Sequence, residues 1–195
     1  MINLKKGQKI SLDKNMNLCL IGLGWDPNKY KGSATFDLDA SVFLLGANGK
    51  VQSDEDLVFF GNQVHKSGSV KSMGDDETGG NSEDGDDEKI IINLSRVPAY
   101  VQKIVITATI YDAIEKKQNF GQVSNAYIRV VKIKKEDDED GEEVVRYELD
   151  EEFSDETAIA ACEITRNGSE WKFGALGIGY NCEIDGLCRQ YGIDI

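Results

Sequence analysis

Asp37 and Asp39 stand two residues apart in Phe36-Asp37-Leu38-Asp39-Ala40-Ser41. On an extended strand, residues i and i+2 share a face, with Cα atoms about 6.5–7 Å apart. That spacing lets both carboxylates reach one cation. The alternative is that one or both accept backbone N–H groups at a turn. A denser group follows at 74–88, Gly-Asp-Asp-Glu-Thr-Gly-Gly-Asn-Ser-Glu-Asp-Gly-Asp-Asp-Glu, with eight acids and no base. Calcium takes roughly six to eight hard oxygen ligands. Asp supplies short carboxylates here, glycines let the backbone turn its carbonyls inward, and Thr78, Asn81 and Ser82 add neutral oxygens. The competing reading is a solvated charge run. The pattern D-x-[DN]-x-[DN]-G-x5-E fits at no register, so the loop is not an EF-hand.

Segment 136–143, Glu-Asp-Asp-Glu-Asp-Gly-Glu-Glu, serves as an internal control. Its charge density is similar, but it has one glycine and no Thr or Asn. It lies between Ile133-Lys-Lys and Val144-Val-Arg, where a hairpin tip belongs, and reads as a solvated loop. The two runs account for fifteen carboxylates and leave 20 acids against 22 bases, a remainder of +2 from a net charge of −13. The negative charge is therefore local. It repels nucleic-acid phosphate and attracts cations.

Catalytic motifs are missing. The chain contains no G-x-S-x-G, no P-loop and no H-E-x-x-H. Its one histidine, His65, falls in the Gly- and Ser-bearing stretch 61–68, which reads as an exposed turn. Trp25 and Trp171 read as core or rim residues. Cys19 and Cys162 lie in apolar strands. With no export signal evident at 1–9, Cys19, Cys162, Cys182 and Cys188 are expected to be reduced thiols of a cytoplasmic protein. The expectation is a binding module and not an enzyme.

The elements that must position these groups are mostly strands. In 103–111, Ile104, Ile106, Ala108 and Ile110 share one face and Val105, Thr107, Thr109 and Tyr111 the other, a pattern for a central strand buried on both sides. In 124–134, Ala126, Ile128 and Val130 oppose Tyr127, Arg129 and Val131. Segments 17–23, 39–46, 57–60, 89–94, 144–149, 157–166 and 170–178 also read as strands. Asn48-Gly49, between Phe43-Leu44-Leu45 and a returning Val51, and Asn167-Gly168, between Ile164 and Trp171, are hairpin turn signals. A short helix fits 183–191, and one helical turn 113–119. The length of 195 residues, without a linker or repeat, suits one domain. The predicted fold is all-β, a β-sandwich of two mainly antiparallel sheets with a short C-terminal helix.

Seven blocks in order carry a resemblance. They are Gly24-Trp25-Asp26, Phe36 through Ser41, Gly74 through Glu88, Phe120-Gly121-Gln122-Val123, Asn125-Ala126-Tyr127-Ile128-Arg129, Glu163-Ile164 and Trp171-Lys172-Phe173. Together they resemble the signature blocks of the TerD family. The resemblance implies a sandwich that binds calcium, more than one ion, through loops clustered at one edge. It implies ligands at Asp26, Asp37, Asp39, Asp75, Asp76, Asp86, Asp87 and Glu88. It also implies protein partners in a tellurium- and stress-resistance system, one that could lie beside a membrane. Asp76 stands where the family often has Asn, and the insert from Gly80 to Asp84 is longer than usual. Two other readings remain at this point: a structural adaptor with permanently bound calcium, and a metal-dependent hydrolase.

Overall fold

The computed structural model describes residues 1–29, 34–74, 76–80, 85–138, 141–149 and 153–195. Its strands form two six-stranded sheets. The first contains β1 (Ile2–Asn3), β3 (Leu18–Gly24), β6 (Val70–Ser72), β7 (Glu88–Asn93), β9 (Tyr127–Lys132) and β10 (Glu142–Glu148), in the order β1-β10-β9-β3-β7-β6. The second contains β2 (Lys9–Ser11), β4 (Leu38–Leu45), β5 (Leu57–Val58), β8 (Lys103–Ile110), β11 (Ala158–Asn167) and β12 (Glu170–Tyr180), in the order β2-β12-β11-β8-β4-β5. Strand β1 runs parallel to β10, and the remaining pairings are antiparallel. The fold is the expected β-sandwich.

Period-two alternation sets which side chains fill the space between the sheets. Cys19, Ile21 and Leu23 point inward from β3, as do Ile128 and Val130 from β9. They meet Val42 and Leu44 of β4 and Ile104, Ile106 and Ala108 of β8. The opposite face of the second sheet is covered as well. There Phe43, Leu45, Leu57 and Val105 lie under Leu187, Cys188 and Tyr191 of the C-terminal helix α2 (Ile184–Tyr191). This is why β8 is apolar on both faces. Tyr191 packs on Phe43 with ring centroids 4.6 Å apart. The other helix is one turn, α1 (Ala113–Lys116).

Asn167-Gly168 closes the β11–β12 hairpin as expected. The Asn48-Gly49 turn also forms, with Gly46 N donating to Lys50 O at 2.8 Å. Val51, however, is not its returning strand. The chain makes a 3-10 turn over Asp54–Asp56 first, and β4 pairs with Leu57–Val58. Tyr191 O takes the Val51 amide instead, at 2.9 Å. Glu142 and Glu143, expected in a loop, begin β10.

His65 corrects another expectation. It is 1% exposed. Its Nδ1 lies 2.7 Å from Ser67 Oγ and its Nε2 lies 3.2 Å from Asp56 Oδ1. Asp56 is fully buried and also accepts Tyr100 OH at 2.6 Å and the Gln52 amide at 2.8 Å. Burial opposes the Asp56 charge, but these donors outweigh it and hold its pKa below the usual value. A polar ring inside a turn reads as exposed until its distant partners are seen.

Candidate metal centre

Strand β3 ends at Gly24, and the chain crosses the rim of the sandwich there. Trp25 ties the corner together. Its amide donates to Asp87 Oδ2 at 2.9 Å, and its indole Nε1 donates to Phe36 O at 3.0 Å. The Asp87 amide returns a bond to Leu23 O at 2.9 Å. Asp26 lies at the same corner, where its Oδ2 accepts Asn125 Nδ2 at 2.8 Å and Lys29 Nζ at 3.0 Å. The Lys29 bond is the main reason its pKa is lowered.

The acids at the end of the 74–88 loop point three ways. Asp86 turns onto the outer face of the first sheet. Arg129 holds it, with Nε donating to Oδ1 at 2.7 Å and Nη2 donating to Oδ2 at 2.8 Å. Tyr127 OH adds a bond at 3.0 Å, and Glu143 supports Arg129 from the other side at 3.1 Å. Burial works against the guanidinium charge, but Asp86 and Glu143 outweigh it and raise the Arg129 pKa. Gly22 makes this approach possible, because a Cβ there would overlap the Asp86 carboxyl group. Asp87 points along the rim to Trp25. Glu88 pairs with Leu23 across β3 and β7, so it points between the sheets, where its Oε2 accepts the Ala40 amide of β4. That part of β4 lies beyond β5, which pairs only with Val42 and Phe43.

The upstream half of the loop has a different environment. Asp76 Oδ1 accepts Thr78 N at 2.8 Å, Thr78 Oγ1 at 3.0 Å and Gly79 N at 2.9 Å, an Asx-type turn. Gly79, with φ +72°, lies against the Trp25 indole, leaving no room for a Cβ. This folds the loop toward β4. Glu77 then lines one cleft with Asp37, Asp39, Phe60 and Tyr111, about 230 Å³ in volume. Asp39 is 6% exposed. Asp37 and Asp39 thus share a face as their spacing requires, and the acidic loop comes to that face.

Of the expected ligands, Asp37 and Asp39 meet in this cleft. Asp26 and Asp87 lie at the Trp25 corner, and Asp76 folds its own turn. Asp86 and Glu88 face opposite sides of the first sheet. Asp75, with Asn81 through Asp84, lies outside the described residues. Among the described residues no three acidic, histidine or cysteine side chains are gathered closely enough to hold a metal ion. Hard oxygen donors of the kind calcium takes line the cleft, and a full coordination sphere would need the loop to close further. Sequence reasoning overlooked Glu77, Phe60 and Tyr111. Glu77 was visible only as one acid of eight, and the two aromatics come from segments distant in the chain. The pairing of Asp86 with Arg129 was hidden for the same reason.

The comparisons with known proteins agree with the fold. The TerD domain family model matches residues 1–191. General stress protein 16U of Bacillus subtilis (strain 168) is 47% identical over 197 residues, covering 100% of this chain and 98% of that protein. Tellurium resistance protein TerD of Serratia marcescens is 46% identical over 196 residues, covering 99% and 98% respectively. A crystal structure described as a homologue of telluride resistance protein (TerD), SCO6318 from Streptomyces coelicolor A3(2), superposes with a TM-score of 0.71. It is 19% identical and covers 92% of this chain and 100% of that one. A sandwich with this rim, matched across nearly its whole length, defines a TerD-domain protein. The chain belongs to the TerD family of tellurium-resistance and general stress proteins.

Proposed function

We propose that this protein is a calcium-responsive binding module of a tellurium- and chemical-stress-resistance system. The observation that supports this most is the meeting of Glu77 with Asp37 and Asp39 in one cleft. These side chains bring hard oxygen donors of the kind calcium takes to one place. Ion binding then draws residues 76–80 tighter onto β4 and fixes a surface for a protein partner.

The tethers downstream favour a responsive ion over a permanent one. Asp86 to Arg129, Asp87 to Trp25 and Glu88 to Ala40 fasten the end of the loop to the sandwich. In this reading the ion's effect falls on the upstream half of the loop. The reading includes no catalytic step and places the protein in the cytoplasm with protein partners.

A calorimetric calcium titration tests it. The wild type should bind in the micromolar range, and Asp37→Asn should bind at least tenfold more weakly. Absence of heat from the wild type would remove calcium from the account. Binding far tighter than resting cytosolic calcium would make the ion a fixed structural one.

A further inference from the structure

Two aromatic rings share the cleft with the three acids. Phe60 and Tyr111 are 45% and 47% exposed, and their rings lie edge to face with centroids 6.5 Å apart. Among the described residues no base lines the cleft. The adjoining turn carries Asp112 and Glu115 against Lys116 and Lys117, so it adds no net charge and the acidic excess of the cleft stands. Lys116 already sets an ammonium 5.0 Å from the Tyr111 ring centroid, with Nζ donating to Tyr111 O at 3.0 Å. Ser41 continues the row of Asp37 and Asp39 on the same face of β4. It is fully buried, and its Oγ has no hydrogen-bond partner among the described residues. The face behind the cleft thus keeps an oxygen acceptor unused.

We propose that this cleft receives an arginine side chain presented by a protein partner. As the loop lies, the carboxylates are not gathered closely enough to chelate a metal ion. A guanidinium makes no such demand. It spreads one charge and its N–H donors over a plane, bonds carboxylates at its edge and stacks its face on a ring. The molecule builds the filled arrangement from its own residues on the first sheet. There the Arg146 guanidinium lies 3.6 Å over the Tyr127 ring centroid, and its Nε donates to Glu148 at 2.8 Å. In the cleft this chain supplies the acids and the rings. Both rings stay about half exposed, so a small free cation would remain largely in water. A partner's apolar side chains beside the arginine would also cover Ile114, three residues beyond Tyr111 and 67% exposed. Tyrosine and arginine are the residues that most often anchor such contacts. The inference goes beyond the calcium reading and does not depend on it; calcium that closes the loop would compete for the same carboxylates.

NMR titration of the full chain in EDTA tests the proposal with two capped tripeptides, Leu-Arg-Leu and Leu-citrulline-Leu, which differ in charge alone. The arginine peptide should shift the Phe60, Tyr111 and Glu77 signals with an affinity on the order of 1 mM. The citrulline peptide should leave them in place. Glu77→Gln and Tyr111→Ser alter exposed side chains, so folding should survive, and the same spectra report it. Each should weaken binding of the arginine peptide roughly threefold. Glu136→Gln removes an acid from the outer face of the first sheet and should change nothing. Absence of shifts at about 10 mM peptide, or equal binding of the two peptides, would overturn the proposal. Equal losses in Glu77→Gln and Glu136→Gln would also overturn it, since they would reveal attraction to net charge alone. Arginine amide binding as tightly as the tripeptide would overturn the protein partner in favour of a free organic cation. Calcium heat is a separate readout, so either reading can fail alone.

Discussion

The Asp86 carboxylate lies directly over Gly22 and is held on both oxygens by the Arg129 guanidinium, at 2.7 and 2.8 Å. Register explains the arrangement, since Gly22 of β3 is paired with Arg129 of β9. The empty side-chain position on one strand receives the acid that the neighbouring strand's base requires.

Removing the base takes away the cation that pairs the buried Asp86 charge. Arg129→Ala should destabilise the fold by about 3–5 kcal/mol. A double change, Asp86→Asn with Arg129→Gln, should cost less than Arg129→Ala alone, because no uncompensated charge remains. Urea denaturation of the three proteins measures both numbers.

Filling the vacant position tests the same contact sterically. Gly22→Ala places a Cβ inside the Asp86 carboxyl group. Overpacking of this kind costs about 1–3 kcal/mol. A midpoint unchanged within error would mean that Asp86 sits elsewhere in solution.

Calcium should stabilise the wild type by linkage, about 2.7 kcal/mol at a hundredfold excess over the dissociation constant. The rise in Tm over an EDTA control should shrink in Asp37→Asn and Asp39→Asn. It should also shrink in Glu77→Gln, which sequence alone would not have chosen. An equal rise in all four proteins would place the ion outside the cleft.

Acid should expose a second buried carboxylate. Glu163 is 2% exposed and lies between Lys9 at 2.5 Å and Lys103 at 2.9 Å. Burial raises its pKa, but the two ammonium groups outweigh burial and hold it below the ordinary glutamate value of 4.5. A depressed carboxylate stabilises the fold above its unfolded pKa and loses that contribution as pH falls through the folded pKa. Stability should therefore drop below about pH 4.5. In Glu163→Gln the neutral-pH stability should be lower and the acid slope shallower. Equal slopes from denaturation across that range would contradict the assignment.

Alternation made most of the sandwich readable. The two faces of β8, and the opposition of Ile128 and Val130 to Arg129 in β9, follow from period two alone. Strands β1, β2 and β6 escaped notice, because each has two or three residues, too few to show a period. Val51 was mistaken for a returning strand because local turn chemistry cannot reveal that a 3-10 turn intervenes. At the rim, Asp37 and Asp39 were legible as a pair on one face. The separate destinations of Asp86, Asp87 and Glu88 were not, since each is fixed by a partner at least 41 positions away in the sequence, among them Tyr127, Arg129, Trp25 and Ala40. His65 looked exposed because its partner Asp56, itself held by Tyr100, comes from another segment.

Contacts hold the chain on both sides of the Gly80-to-Gly85 stretch. Gly79 is pressed on Trp25 and Gly80 on Pro27, while three successive acids re-anchor the chain downstream. The chain is thus held to the sandwich at two separate points, Gly79–Gly80 and Asp86–Glu88.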